Sequence, residues 1–157
     1  MIYDFMAGDD FGSSALLMSQ YGPLLPVEIA IPQSLTDLYA KNQKPIPAPV
    51  SGYALIDTGA TVTCIHEDVM TRLKIKPIDV QDVNTPGGSA IPRNLYPVQL
   101  RIPSHGVDIA LPKILSVDLT GQVTREGEQV LGLIGRDFLQ NCVLVYNGRT
   151  GMYSLGS

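Results

Sequence analysis

The sequence contains little cysteine, little histidine and no long apolar run. Of its 157 residues, two are cysteines, Cys64 and Cys142, and two are histidines. Two cysteines so far apart in the sequence indicate neither a disulfide framework nor a metal site. We therefore expect two free thiols that are buried or half-buried, and no metal. A reducing, cytoplasmic location is the default expectation for such a chain.

Basic charge is also scarce. The chain has 11 lysines and arginines against 15 aspartates and glutamates, which gives a net charge of -4. Without a basic stripe that displaces counterions, we expect no nucleic-acid partner. No stretch is long enough to span a bilayer, and the first residues include neither a basic region nor a sustained apolar segment. We therefore expect no membrane association and no secretory signal.

The residues that are abundant favour a folded, mainly β protein. Hydrophobic residues make up 45% of the chain, and it has 15 glycines and 12 prolines. This composition is typical of short strands joined by many turns. We expect residues 1–22 to form a flexible arm or a short helix outside the core. Residues 23–157 are predicted to form a single domain with a proline-rich insert at 33–50.

Local patterns predict the elements of this domain. Alternation of apolar and polar residues indicates strands, and acids before a basic end indicate a helix at 67–73. A second short helix is expected at 34–41, and Asp137 is expected to cap a third. The predicted strands cover residues 26–31, 52–56, 61–65, 96–102 and 107–115, a buried segment at 131–135, and a C-terminal hairpin at 143–155 that turns at Asn147-Gly148.

A glycine-rich turn lies between two extended segments at residues 83–92. Its centre is Pro86-Gly87-Gly88-Ser89, a strong signal for the tip of a hairpin. Two interpretations remain open at this point. The tip is either a flap that closes over a bound peptide or an ordinary exposed turn.

The most informative segment is Asp57-Thr58-Gly59-Ala60, which directly follows the apolar run Tyr53 to Ile56. A strand that ends in this way holds one carboxylate at the start of a tight loop. Gly59 would let a substrate or a partner backbone approach closely. Two carboxylates in contact share a proton, so such a pair activates water with one oxygen and protonates a carbonyl with another. The chain has this motif once, and Asp57 as a plain turn residue is the alternative.

Leu55 to Thr61 resembles the active-site loop of the retroviral-type aspartic proteases, the retropepsins. Downstream, Leu133-Ile134-Gly135-Arg136 resembles the segment that supports this loop in the family, and the tip at Pro86 to Ser89 falls where the flap is expected. The resemblance covers residues 26–155. It implies a closed acid-protease β-barrel with a flap hairpin and one or two short helices.

The resemblance also implies a function. A chain with one motif would form its active site as a homodimer, in which each copy supplies Asp57 as the catalytic acid and Thr58 bonds across the two-fold axis. The substrate would be an extended peptide, water would be the nucleophile, and no cofactor would be needed. The alternatives are a catalytically silent dimerisation or peptide-binding module, or a precursor-like form with a blocked cleft. The residues implied for the site are Asp57, Thr58, Gly59 and Ala60 in the loop, Pro86, Gly87, Gly88 and Ser89 in the flap, and Leu133, Ile134, Gly135 and Arg136 in support.

The sequence departs from the family pattern in two places. Thr61 stands where retroviral members often have an aspartate that pairs with the supporting arginine. Arg136 is therefore expected to bind Glu67, Asp68 or Asp137, or only to pack and cap. The tail, residues 143–155, is a full hairpin rather than one interleaving strand, so we expect a different dimer interface. His66 is expected to lie at the surface or to cap a helix.

Overall fold

The computed structural model describes residues 2–6 and 11–156, and most of these residues lie in strands joined by loops and four short helices. In chain order the elements are β1 (Ile2–Met6), α1 (Phe11–Tyr21), β2 (Leu24–Ala30), α2 (Gln33–Lys41), β3 (Val50–Ile56), β4 (Cys64–His66), α3 (Glu67–Leu73), β5 (Asp79–Asn84), β6 (Ala90–Ile102), a 3-10 turn (Pro103–His105), β7 (Val107–Val117), β8 (Gly132–Ile134), α4 (Arg136–Leu139), β9 (Val143–Asn147) and β10 (Met152–Gly156).

Six strands close into a barrel. Their order is β2-β3-β8-β4-β7-β6, and β2 also pairs with β6, which completes the ring. β5 extends the sheet from the outer side of β6 as one arm of a hairpin. Two neighbouring pairs, β3 with β8 and β4 with β7, are parallel. The predicted mainly β fold, a closed acid-protease barrel with few short helices, is confirmed.

The barrel interior is filled by one face of each strand. In β2, burial alternates along the strand, as expected when successive side chains point to opposite faces. Leu25 and Ile29 of β2 meet Val98 and Leu100 of β6 in the core, and all four are fully buried. The side chains that form the core are therefore those on one face of each strand, at every second position of the sequence.

A second, three-stranded sheet has the order β1-β10-β9. It joins the first residues of the chain to the last, since Phe5 of β1 pairs with Tyr153 of β10. The helix α1 packs beside it, with Met18 1% exposed in the main core. Of the two alternatives predicted for residues 1–22, the short helix is present as α1, although Met18 lies in the core. Residues 2–6 form a strand, so the flexible arm is wrong for them. A strand partner near the other end of the chain holds them in place, and no local pattern shows that partner.

Several local predictions agree with the structure. Helix α3 has the predicted bounds, and it buries Val69, Met70 and Leu73 while its acids lie in the first turn and Arg72 in the last. Residues 44–49 of the proline-rich insert form no strand, and β3 begins after them at Val50. Proline lacks the amide hydrogen that a strand ladder requires, which explains this boundary.

Two boundaries differ from the prediction. The strand expected at residues 61–65 is only Cys64–His66, because the preceding residues bend against α4 and bond to it. The terminal hairpin is present, but it turns over the four residues 148–151 rather than at Asn147-Gly148 alone. Gly151 has φ +68 and donates its amide to Asn147 O at 3.0 Å. A side chain at Gly151 would also overlap the backbone of Ser14 in α1.

Candidate active site

Asp57 emerges where two paired parallel strands end together. Its amide donates to Ile134 O at 3.0 Å, directly beyond the pairing of Ile56 with Ile134. The carboxyl ends of β3 and β8 therefore fix the backbone from which the carboxylate projects. The Asp57 side chain is half-buried, while Thr58 and Gly59 are exposed. The predicted acid thus stands at a rigid point with access to solvent.

The Asp57 carboxylate is oriented by its own loop. Gly59 N donates to Asp57 Oδ1 at 2.8 Å, and Ala60 N donates to Asp57 O at 3.2 Å. A Cβ atom at position 59 would lie 3.0 Å from Asp57 Oδ1, so a side chain there would crowd the acid. Within residues 2–6 and 11–156, Oδ2 accepts no hydrogen bond. One carboxylate oxygen is positioned by the loop, and the other remains available.

The Arg136 side chain holds the Asp57 loop through two hydrogen bonds. Its Nη1 donates to Thr58 O at 2.7 Å, and its Nη2 donates to Thr61 Oγ1 at 3.0 Å. The backbone continues this contact, because Arg136 N donates to Ala60 O at 2.9 Å. The expected partners Glu67, Asp68 and Asp137 are therefore wrong. The hydroxyl of Thr61 accepts the bond that an aspartate at this position would accept in the resembled family.

Behind the loop lies a partly buried hydrogen-bond network, centred on the buried Thr63, that the sequence did not reveal. Thr63 Oγ1 donates to Asp137 Oδ1 at 2.7 Å and accepts the amide of Gly135 at 3.0 Å. Thr63 N also donates to Asp137 Oδ1, at 2.8 Å. Asp137 was expected to cap α4, but the N-cap is Gly135 and the helix has no side-chain cap. The partners are more than 70 positions apart, so no local signal identifies them.

Gly135 is required by the closeness of two backbones. A Cβ atom there would lie 2.5 Å from Val62 C and 2.8 Å from Thr63 N, closer than carbon atoms approach in folded proteins. The residue that follows β8 therefore packs directly against the last two residues of the Asp57 loop, Val62 and Thr63. Leu133 and Ile134 pair with Leu55 and Ile56 in the same sheet. The segment predicted as support is in contact with the loop.

Cys64 lies in the interior next to this network. It is 4% exposed, and burial raises the pKa of its thiol to about 11. The nearby charges of Asp57 and Asp137 act in the same direction. The thiol is therefore neutral at ordinary pH and serves as a small apolar side chain. Cys142 is also free and half-buried, so the expectation of two unpaired thiols is confirmed.

The hairpin predicted at residues 83–92 is present. β5 pairs with β6 from Asp79–Leu95 to Asn84–Ala90, and the tip spans residues 85–89. Thr85 N donates to Ser89 O at 3.0 Å, and Gly88, with φ +80, donates to Thr85 O at 2.9 Å. Pro86, Gly87, Gly88 and Ser89 are all exposed. The tip is therefore held by hydrogen bonds within itself.

A cavity of about 470 Å³ lies beside the end of the Asp57 loop, between the base of the hairpin and α4. Val62 and Thr63 line it from the Asp57 loop, Gln81 from the hairpin, and Phe138 and Cys142 from α4 and the residues after it. Most of the remaining lining is aliphatic and comes from β6 and β7. The volume lies in the range of small-molecule and side-chain pockets. An apolar side chain fits beside the loop.

Of the two positions predicted for His66, the surface one is wrong, and the helix cap is present through the backbone alone. It is 8% exposed, and its Nδ1 accepts the amide of Leu119 at 3.0 Å. The ring thereby fixes the start of the long loop after β7, while its backbone occupies the N-cap position of α3. His66 lies outside the site.

The described part of the chain offers neither a metal site nor a membrane-spanning helix. Residues 2–6 and 11–156 contain no group of three or more histidine, cysteine or acidic side chains that could hold a metal ion. The helices within the same residues are all too short or too polar to cross a membrane.

Comparison with known proteins agrees with this geometry. A family model described as aspartyl protease matches residues 48–138, a segment that includes the Asp57 loop, the hairpin and the Gly135-Arg136 support. No curated protein matches the chain. The match covers more than half of the sequence. The chain therefore belongs to the aspartyl protease family.

Proposed function

We propose that the protein is an aspartic endopeptidase of the retropepsin type, whose active site forms between two identical chains. Each chain supplies one Asp57, and the two carboxylates meet on a two-fold axis. The observation that carries this proposal is the single, rigidly held acid with one unengaged carboxylate oxygen at the end of two paired strands. Family membership supports protease activity of the aspartic class.

Asp137, the acid of the segment that supports the loop, is not suited to provide the second carboxylate. Asp137 Oδ1 already accepts bonds from Thr63 N, Thr63 Oγ1 and Phe138 N. Moving that carboxylate toward Asp57 would leave the buried Thr63 groups unpaired, at a cost of about 1–3 kcal/mol. A second copy of the chain supplies the missing acid without this cost. The exposed position of Thr58 and Gly59 leaves room for the partner loop.

The chemistry then follows from the shared proton. Two carboxylates in contact cannot both be ionised easily, so one stays protonated. The ionised Asp57 takes a proton from a water molecule as that water attacks the scissile carbonyl carbon. The protonated Asp57 gives its proton to the carbonyl oxygen, so that a tetrahedral diol forms. The Asp57 that took the proton from water then gives it to the amide nitrogen, while the other Asp57 takes a proton from a diol hydroxyl, and the C–N bond breaks to give a carboxylic acid and an amine. Because water is the nucleophile, no covalent enzyme intermediate forms.

The hairpin 83–92 is proposed to act as the flap over an extended peptide substrate. The two glycines at its tip carry no side chains, so their amides can approach a substrate backbone closely. Closing the tip would exclude water and strengthen the electrostatic interactions beneath it. The apolar cavity beside Val62 and Phe138 then favours substrates with an aliphatic or aromatic side chain near the scissile bond.

The proposal is tested by cleavage of a peptide library with and without pepstatin, an inhibitor of aspartic proteases. We expect pepstatin-sensitive cleavage, and we expect Asp57→Asn to lower the rate roughly 10³-fold. The matched control is Asp118→Asn. Asp118 is exposed and bonds the amide of Thr120 at 2.9 Å, the same two-residue turn that Asp57 makes with Gly59.

The control separates catalysis from turn formation. Asp118→Asn should retain full activity, because its carboxylate serves only its own turn. Cleavage that survives Asp57→Asn would contradict the catalytic assignment. A dimeric wild-type protein that binds peptides and leaves the whole library uncut would instead identify a silent binding module.

A further inference from the structure

We propose that a groove between α2 and the segment after α3 binds an acidic stretch of the substrate protein, which places one apolar side chain in the groove. The bound stretch lies outside the bond that is cut and holds the substrate near the active site. This inference rests on the proposed function, because it names a class of substrate for the same protease.

The basic groove, as we call it, consists of two cavities of about 610 and 420 Å³. Tyr39 and Lys74 line both cavities, which therefore meet at these two side chains. The walls are α2, residues 74–78 after α3, the proline segment 45–49, and parts of β6 and β7. Both volumes are large enough for an apolar side chain of a bound segment.

The inner surface of the basic groove is mostly apolar and partly open to solvent. Leu35 and Tyr39 of α2 are half-buried, and α2 buries none of its residues fully. At the two ends of the groove, Ile78 is 54% exposed and Ile46 is 47% exposed. Apolar surface that remains exposed and is surrounded by polar groups is typical of binding grooves.

The rim of the basic groove is positively charged. Arg72, Lys74 and Lys76 line it, Lys41 ends α2, and Lys44 directly precedes the proline segment. These are five of the eleven basic side chains of a chain whose net charge is -4. All five are exposed, and none forms an ion pair with another residue that the structure describes. Charge of one sign around an apolar cleft selects a partner of the opposite sign.

Acidic side chains of the protein itself do not neutralise this rim. Among residues 2–6 and 11–156, no aspartate or glutamate lines either cavity. Asp37 of α2 lies outside both cavities and accepts a hydrogen bond from Gln33 Nε2 at 2.8 Å. The carboxylates that suit the rim must therefore come from a bound partner.

Lys74 stands where a helix usually ends in glycine. It follows α3 with φ 55 and ψ 32, a left-handed conformation that glycine adopts without strain. The Lys74 amide donates to Thr71 O at 3.1 Å, so this conformation is part of the helix end. A lysine at this position places a charge where the two cavities meet. Substitution by glycine removes that charge and suits the backbone.

The position of the basic groove favours the substrate as its occupant. Leu111 of β7 lines both the larger cavity of the groove and the cavity beside the Asp57 loop. Ile78 directly precedes β5, the first strand of the hairpin, and its amide donates to Leu95 O at 2.9 Å. A substrate with one segment beside the hairpin therefore has a neighbouring segment close to the groove.

Binding of a short acidic peptide tests the basic groove directly. The probe is Asp-Glu-Phe-Asp-Glu with an uncharged fluorophore, and its affinity for the Asp57→Asn chain, which should not cut it, is measured by fluorescence anisotropy. The matched peptides are Asn-Gln-Phe-Asn-Gln, which lacks the charges, and Asp-Glu-Ala-Asp-Glu, which lacks the apolar ring. We expect each to bind about tenfold more weakly than the probe.

Charge removal from the protein is the complementary test. Lys74→Gly combined with Lys76→Gln should weaken binding of the acidic probe about tenfold. Arg125→Gln combined with Arg149→Gln removes the same charge from exposed positions outside the groove and should bind as the parent chain does. Equal binding of the charged and uncharged peptides, or of the parent and the Lys74 and Lys76 variant, overturns the basic groove as an acidic-peptide site.

Cleavage kinetics then test whether the occupant is the substrate. A peptide that the wild-type protein cuts is extended at either end with Asp-Glu-Phe-Asp-Glu through about ten Gly and Ser residues. We expect one of the extensions to lower KM about tenfold with kcat unchanged, and we expect the Lys74 and Lys76 variant to lose this gain. An unchanged KM for both extensions overturns the assignment to the substrate. A chain that cuts no peptide but binds the probe through Lys74 and Lys76 supports the groove, and the proposed function alone fails.

Discussion

Two glycine-containing loops of this protein differ in their hydrogen bonds, because one is bonded to neighbouring elements and the other only to itself. The Asp57 loop, residues 57–63, is bonded to β8 and α4 at Asp57, Thr58, Ala60, Thr61 and Thr63. The hairpin tip, residues 85–89, is bonded only to itself among the described residues. A Cβ atom at Gly88 would meet nothing within 4 Å, whereas one at Gly135 would strike backbone. The difference indicates that the acid is fixed by neighbouring elements, whereas the tip is held by the hairpin alone.

A glycine-to-alanine substitution in each of the two regions should give the largest difference in the free energy of unfolding. Gly135→Ala forces the backbone of Val62 and Thr63 away from β8, and overpacking of this kind costs roughly 3 kcal/mol in the free energy of unfolding. Gly87→Ala meets only Thr85 Oγ1 at 3.9 Å and should change stability by less than about 0.5 kcal/mol. Urea unfolding measures both.

Equal losses of stability in these two variants would contradict the difference between the loops. The activity of Gly135→Ala is expected to fall as well, because the displaced segment carries the loop that orients Asp57. Gly87→Ala should fold normally, so any loss of its activity would report on the tip itself.

A second matched pair removes one hydroxyl from each region. Thr63→Val leaves the buried Gly135 amide without an acceptor and takes a donor from Asp137, which should cost about 2 kcal/mol. Thr85→Val removes a hydroxyl that donates to Ser89 O at 3.0 Å in an exposed turn, and its effect should stay below about 0.5 kcal/mol. Thermal unfolding of both variants checks this. A larger loss in Thr85→Val would show that the tip is more tightly held than its contacts indicate.

The smallest expected effect concerns Thr61. Thr61→Asp would give Arg136 a charged acceptor in place of the hydroxyl it binds at 3.0 Å. Because both side chains are exposed, we expect a gain of only about 0.5 kcal/mol, which high salt should reduce. Thr61→Asn, of similar shape without charge, is the control and should show no salt dependence. A loss of stability in Thr61→Asp would mean that Thr61 does not stand in for an acid.

The sequence predicted the features that short-range chemistry determines. Helix α3 was placed with its correct bounds because its acids, its apolar face and its basic end all lie within seven residues. The hairpin at Pro86 and the strand before Asp57 were found for the same reason. The closed barrel is predicted from the order of such segments together with the family resemblance.

What the sequence could not predict depends on contacts between distant residues. Thr61 and Thr63 alternate like a strand, but bonds to Arg136 and Asp137 bend them out of the sheet. His66 is polar, which predicts a surface position, yet it is buried because the amide of Leu119 donates a hydrogen bond to its ring. The strand β1 is not indicated by its own sequence, because its pairing partner β10 lies near the other end of the sequence.

The central claim is that two copies of Asp57 form one active site. It is tested most directly by mixing wild-type chains with Asp57→Asn chains at fixed total concentration, after exchange of subunits, and measuring the rate of peptide cleavage. If both acids are required, activity falls with the square of the wild-type fraction, to about one quarter in an equal mixture. A fall to about one half would show that each chain acts alone, and a fall to only about three quarters would show that one Asp57 per dimer suffices; either result would contradict the account.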